Sequence, residues 1–175
     1  MIYHKGYERY EQMWYGTAMT RLAVILDNIR SAENVGAIFR TAEGAGVSKI
    51  FLCGYTPAPI DRFGRSRRDI AKAALGAEEV MVWEQYPDAL AAIKAARSEE
   101  YRVVAVEQAS GAQMYYTYQP EKDTAYIFGN EVDGIEEAVL RASDAVIEIP
   151  MRGKKESLNV SVAAGVVLFR AREAC

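Results

Sequence analysis

Ile147–Phe169 reads IEIPMRGKKESLNVSVAAGVVLF. An apolar strand over Ala145–Ile149 stops at Pro150, which cannot donate to a sheet ladder. A loop follows, with Arg152, Lys154 and Lys155 around Gly153. Ser157 then opens a helix that runs to Arg172 and is apolar almost all round. Such a helix is buried in a core or against a partner. Locally, Ser157 reads as the N-cap, with Asn159 and Ser161 in the first turn. Polar atoms at the head of a buried helix need hydrogen-bond partners. A ligand or a second subunit would supply them.

The same pattern of strand, loop and helix extends outward from this stretch. Short apolar runs rich in Val and Ile occur at Leu22–Leu26, Lys49–Leu52, Val80–Val82, Arg102–Val106 and Ala125–Phe128. They are apolar on both faces, as buried parallel strands are. Helical spacing marks Asn34–Ala45, Pro87–Ala96 and Glu136–Ala142. The alternation predicts an α/β fold, a single domain with a parallel sheet flanked by helices. The length of 175 residues fits one domain. Thr56–Arg68 and the Tyr-rich Ala109–Asp123 read as irregular.

Two further segments join strand ends to helices. LDNIRSAENVGAIFRTAEGAGV, Leu26–Val47, places Asn34 as a candidate N-cap and Arg40 about one and a half turns into a helix. A cap and a solvated arginine are an equally open reading. IFGNEVDGI, Ile127–Ile135, puts Gly129 at a strand's carboxyl end, followed by Asn130 and Glu131. Glycine there lets backbone approach a ligand, or simply makes a tight turn.

Composition removes several classes. Neither a GxGxxG fingerprint nor a Walker loop is present. The single His4 lies in the N-terminal twenty residues, which argues against Ser–His chemistry. Cys53 and Cys175 have no metal-ligand spacing, so no metal site and no disulfide is expected. No run reaches the 18 apolar residues of a membrane span, and the N-terminus lacks a signal-peptide core. The expectation is a cytoplasmic protein. The net charge of −3 does not by itself favour nucleic acid. Asp61–Lys72, DRFGRSRRDIAK, is nevertheless locally basic, with Arg62, Arg65, Arg67, Arg68, Lys72 and an interleaved Phe63. That combination suits splayed RNA, or a solvated surface loop.

Taken together, NVGAIFRTAEGAGV, FGNEVDGI and IPMRGKKESLNVSVAAGVVLF resemble the three motifs of the SpoU (TrmH-like) branch of the SPOUT RNA methyltransferases. The resemblance runs from about Arg21 to Arg172, and KAALGAEEV (Lys72–Val80) is similar to a stretch of small members. It implies a carboxyl-terminal deep trefoil knot, S-adenosylmethionine as cofactor, a tRNA or rRNA substrate and a homodimer. It divides the chain into an N-terminal extension over 1–20 and a methyltransferase domain over 21–175. Tyr3, Tyr7 and Tyr10 would share one helical face of that extension.

Residue by residue, the resemblance assigns Arg40, Asn34, Ser157, Asn159 and Glu131 to catalysis. It assigns Gly129, Ile149 and Leu158 to cofactor contact. Val132 stands where the second motif often has glycine. The implied activity is methyl transfer to a ribose 2′-hydroxyl. A base methyltransferase of the same superfamily, or a non-catalytic module binding RNA or S-adenosylmethionine, stays open. A flavodoxin-like nucleotide binder is disfavoured by the low glycine density of SAENVG.

Overall fold

The computed structural model describes residues 20–120 and 122–174. The proposed face of Tyr3, Tyr7 and Tyr10 lies outside them. In chain order the elements are β1 (Leu22–Asp27), α1 (Ala32–Gly44), β2 (Lys49–Cys53), α2 (Arg68–Ala74), α3 (Ala77–Val80) and β3 (Trp83–Tyr86). Then follow α4 (Ala89–Ser98), β4 (Arg102–Val106), β5 (Gln113–Met114), β6 (Thr124–Phe128), α5 (Glu137–Ala142), β7 (Ala145–Glu148) and α6 (Val160–Glu173).

The seven strands form one sheet in the order β3-β2-β1-β6-β4-β7-β5, and every pairing is parallel. β1 is fully buried along its length. Alternation along it serves two cores. Leu22, Val24 and Leu26 pack with Ile38 and Phe39 of α1, Ile70 of α2, and Val167 and Leu168 of α6. Ala23 and Ile25 pack on the opposite face with Ala92, Ile93 and Ala96 of α4 and Val139 of α5. The result is the expected α/β layering. α6 also secures the end of α1: Arg172 donates to the carbonyls of Ala45 (2.9 Å) and Gly46 (2.7 Å). A cation there complements the negative end of the helix.

β7 lies between β4 and β5, two strands that the 107–112 connection already joins. The chain therefore returns late into a slot between earlier strands.

Several boundaries differ from the sequence reading. Val80–Val82 is not a strand. Gly76, at φ 94°, restarts the chain into the one-turn α3, and the edge strand begins at Trp83. Val80 and Val82 are exposed, so apolar character there did not buy burial. Asp61–Lys72 is not all loop, because α2 begins at Arg68. Ala109–Asp123 contains β5. The helix read from Pro87 starts at Ala89, capped by Asp88, whose carboxylate accepts from Ala91 N at 2.8 Å. α6 is buried along one face only, with Val162 and Phe169 exposed.

Candidate active site

All strands run the same way, so their carboxyl ends share one edge of the sheet. In open α/β sheets that edge is where ligands bind. Here the ends of β4, β6 and β7 and the loop before α6 surround a cavity of about 210 Å³. Phe128, Ile149, Leu158 and Val160 give it apolar walls, while Glu107 and Glu131 bring carboxylates. Among the described residues, no cation lines it. This lining fits S-adenosylmethionine, which carries a sulfonium and an ammonium against one carboxylate, together with an adenine whose flat faces suit apolar walls.

The turn after β6 is built from within. A side chain at Gly129 would meet Ile135 Cγ1 at 2.5 Å and the Gly134 backbone at 2.7 Å. Gly134 has φ 68°, and a Cβ there would meet Glu107 Oε2 at 2.6 Å. The glycines are therefore demanded by the protein's own turn, whatever ligand lies beyond. Glu107 accepts from Ile135 N (3.0 Å) and Gln108 N (2.8 Å). Asn130 is buried and uses its whole amide. It donates to Asn28 O (2.9 Å) and Tyr55 Oη (2.6 Å), and accepts from Val132 N (2.8 Å) and Asp133 N (2.9 Å).

Three distant segments meet at one hydrogen-bonded node. Glu131 Oε1 accepts from Asn34 Nδ2 at 2.9 Å and from Ser31 N at 3.2 Å, and its Oε2 accepts from Arg30 N at 3.0 Å. Asn34 Oδ1 in turn accepts from Asn159 Nδ2 at 3.1 Å. Burial alone pushes the Glu131 carboxyl up. The hydrogen bonds from Arg30 N, Asn34 and Ser31 N outweigh it and hold it below the ordinary glutamate value.

Of the sequence-predicted residues, Gly129, Ile149 and Leu158 line the cavity, as do Glu131 and Ser157. Asn34 and Asn159 sit beside it through the node. Arg40 does not join the node. Its side chain is exposed on α1 and makes no hydrogen bond or ion pair among the described residues.

Two capping assignments change. Ser31, not Asn34, caps α1, with its Oγ accepting from Asn34 N at 3.2 Å. The Asn34 amide is thereby free for Glu131 and Asn159. Asn159, not Ser157, caps α6, its Oδ1 accepting from Ser161 N at 2.9 Å. Ser157 is left at the cavity wall.

Sequence reading noted Asn130 without a role and passed over Glu107 and Gln108, whose Nε2 donates to Glu156 O at 2.5 Å and ties β4 to the loop before α6. Their position at strand carboxyl ends was the available signal. It also passed over Asp27. Burial, with Glu136 and Asp88 nearby, raises that carboxyl to about 6. Burial beside Asp27 pushes the adjacent Cys53 thiol up as well, so Cys53 stays protonated. Among the described residues no group of acidic, His and Cys side chains is arranged to hold a metal ion. No helix among them is long and apolar enough to cross a membrane.

The α/β/α layering with a cleft at the carboxyl ends of parallel strands defines the class of open-sheet α/β ligand-binding domains, and comparison narrows it. The sequence profile of the SpoU rRNA Methylase family matches residues 21–169, and the chain belongs to that family. It is 30% identical over 151 residues to a 23S rRNA (guanosine-2'-O-)-methyltransferase of Neisseria meningitidis serogroup B, covering 86% of this chain and 58% of that protein. It is 31% identical to a tRNA (guanosine(18)-2'-O)-methyltransferase of Thermus thermophilus, covering 86% and 74%. The AdoMet-bound rRNA methyltransferase from Sinorhizobium meliloti superposes with a TM-score of 0.76 at 30% identity, covering 87% and 56%. The chain thus spans little more than half the length of these rRNA relatives.

Proposed function

We propose that this chain transfers a methyl group from S-adenosylmethionine to a ribose 2′-hydroxyl of tRNA or rRNA. The observation that carries the reading is the convergence of the three motif segments on one cavity with two carboxylates and no cation in its lining. When bound, the donor supplies a methyl on a sulfonium, which is already a good leaving group. The protein's task is then mostly alignment, and alignment can supply several kcal/mol of a barrier. Gly129, Ile149 and Leu158 hold the donor, largely through backbone and apolar contact. Glu131, Asn34 and Asn159 fix the relative positions of α1, the β6 turn and α6. Ser157, at the cavity wall, orients the hydroxyl.

Arg40 binds the RNA. A guanidinium stays protonated in proteins, so it is not a base. It pairs with a phosphate beside the target ribose and stabilises negative charge growing on the 2′-oxygen. Phosphate or water takes the proton. An exposed arginine without a partner in the described chain is in the state this role needs.

The same family implies a homodimer, a trefoil knot, a cytoplasmic reaction and a catalytic domain that begins at Arg21. Val162 and Phe169, with half-buried Val166, form an apolar stripe on α6 at helical spacing, and this stripe is the proposed contact of a homodimer. The late insertion of β7 supports the trefoil knot. RNA as substrate puts the reaction in the cytoplasm, and the catalytic domain begins at Arg21.

The test is labelled-methyl transfer from S-adenosylmethionine to total RNA from cells lacking the modification, with DNA as the control. The expected result is label in RNA alone, because DNA has no 2′-hydroxyl. Label in both, or no label in RNA although the donor binds, overturns the proposal.

A further inference from the structure

The connection from β2 to α2 carries a second concave surface, of about 560 Å³. Tyr55, Ile60, Asp61, Arg62, Phe63 and Arg67 contribute to it. Its tip is a small hairpin closed by an antiparallel bridge between Ile60 and Ser66. Asp61 organises the tip. Its Oδ1 accepts from Phe63 N (2.8 Å) and Arg65 N (3.0 Å), its Oδ2 accepts from Arg65 Nε (2.9 Å), and its own N–H donates to Arg65 O (2.9 Å). These bonds hold the Asp61 carboxyl below its ordinary range.

The tip presents Phe63 to solvent with 65% of its surface exposed. A single exposed ring is ordinary by itself; what sets this one apart is that the Asp61 bonds fix the hairpin that carries it among guanidinium groups. The Arg62 guanidinium lies 4.8 Å from the ring centroid and that of Arg65 lies 5.0 Å away. Charge separates the surroundings further. Between residues 61 and 72 five cations face two carboxylates, an excess of three in a chain whose net charge is −3. Arg65 and Arg67 are paired with Asp61 and Asp69. Arg62, Arg68 and Lys72 have no ion pair or hydrogen bond among the described residues.

A flat ring flanked by guanidinium groups, with unpaired cations a few residues on, matches an unstacked base and its phosphates. A protein partner would be met by a larger apolar patch with fewer free cations. The surface is also wired to the cleft. Tyr55, 60% exposed, accepts from Asn130 Nδ2 at 2.6 Å, and Asn130 lines the donor cavity. Thr56 next to it anchors the loop, donating from Oγ1 to Leu26 O (3.0 Å) and accepting from Ile29 N (3.0 Å).

We infer that Phe63 and Arg62 form a stacking subsite for a single-stranded nucleotide of the RNA substrate, with Arg68 and Lys72 following its backbone. The inference rests on the proposed RNA methyltransferase activity and names where part of that RNA sits.

The test uses the full chain, S-adenosylmethionine and a twelve-nucleotide single-stranded RNA. Phe63→Ala is expected to weaken RNA binding about tenfold or more, the loss of one base–aromatic stack. Phe63→Leu should weaken it comparably, since apolarity without a ring face does not stack. Phe63→Trp should bind and show tryptophan emission quenched by RNA but not by an abasic oligomer of equal length. Arg62→Ala should lower the slope of log affinity against log salt by about 0.7, one phosphate's share for a single strand. Calorimetric binding of S-adenosylmethionine by each variant establishes that the fold and cleft are intact.

Unchanged RNA affinity in Phe63→Ala and Phe63→Leu, while the wild type still methylates RNA, overturns the subsite alone. RNA binding that depends on Phe63 without any methyl transfer leaves the subsite standing and removes the proposed activity. Binding of neither kind by the wild type overturns both.

Discussion

Asn34 and Arg40 lie six residues apart on one helix, and the structure treats them oppositely. Asn34 has both ends of its side-chain amide bonded within the chain, to Glu131 and Asn159. Arg40 has no such bond among the described residues. The difference separates two kinds of site residue. Groups that position the cleft are satisfied before any ligand arrives. The group proposed to meet the RNA is left unpaired, for a partner that the substrate would bring. Phe63 and Arg62, as the proposed stacking subsite, would belong to the second kind, and Asn130 to the first.

The comparison breaks if the two kinds respond alike to mutation. Arg40→Ala is expected to lower kcat by about a hundredfold to a thousandfold, as removing one stabiliser of a developing oxyanion does. It should leave Tm unchanged within about 1 °C, because an exposed unpaired side chain contributes little to stability. Thermal melts beside steady-state kinetics check both halves.

Asp27 sharpens the comparison from the other side, as a buried carboxyl that accepts from Asn28 Nδ2 at 3.0 Å and pairs with no cation among the described residues. Its pKa rises from an unfolded value near 3.8 to about 6 in the fold. The folded state therefore holds more protons in that window, and stability falls as pH rises through it. The contribution is fully present below about pH 4 and lost above about pH 6. A shift of two units is worth at most about 3 kcal/mol. Denaturant melts across pH 4–7 should show this fall in the wild type and its absence in Asp27→Asn.

Smaller effects should follow at the node. Asn159→Ala removes the cap of α6 and one bond to Asn34, at a cost of about 1 kcal/mol, read as a Tm lowered by about 2–4 °C. Glu131→Gln keeps the shape but points an amide at N–H donors. Because Glu131 is exposed, its loss should cost stability no more than about 1 kcal/mol. Its stabilising charge is present above the unfolded glutamate pKa and is lost as pH falls below it. The wild-type advantage over Glu131→Gln should therefore shrink in acid melts below about pH 4.

Much of the fold was legible because the deciding signals were local. Apolar runs at Leu22–Leu26 and Ala125–Phe128 are buried on both faces, and their residues report this directly. The run at Val80–Val82 misled because apolarity says nothing of where a neighbouring glycine turns the chain. Gly76 precedes α3, and the strand starts three residues on, in the polar WEQY of β3. The caps misled for a related reason. Ser31 and Asn34, like Ser157 and Asn159, are chemically equivalent cap candidates. Long-range bonds to Glu131 and Asn159 engage Asn34 and leave Ser31 to cap α1, whereas Asn159 caps α6 with its Oδ1 while its Nδ2 reaches Asn34.

At the site, motif resemblance reached Gly129, Ile149 and Leu158, which share one cavity wall. It did not reach Glu107 or Asn130, whose roles are bonds across 28 and 102 residues. The strand order that inserts β7 between β4 and β5 is equally non-local. Periodicity carries no information about it.

The most direct test of the central claim is nucleoside analysis of RNA methylated by the wild-type chain with labelled S-adenosylmethionine. The account predicts that the label resides in a 2′-O-methylnucleoside. Label on a base would contradict it and reassign Arg40 and the cleft to a different methyl acceptor.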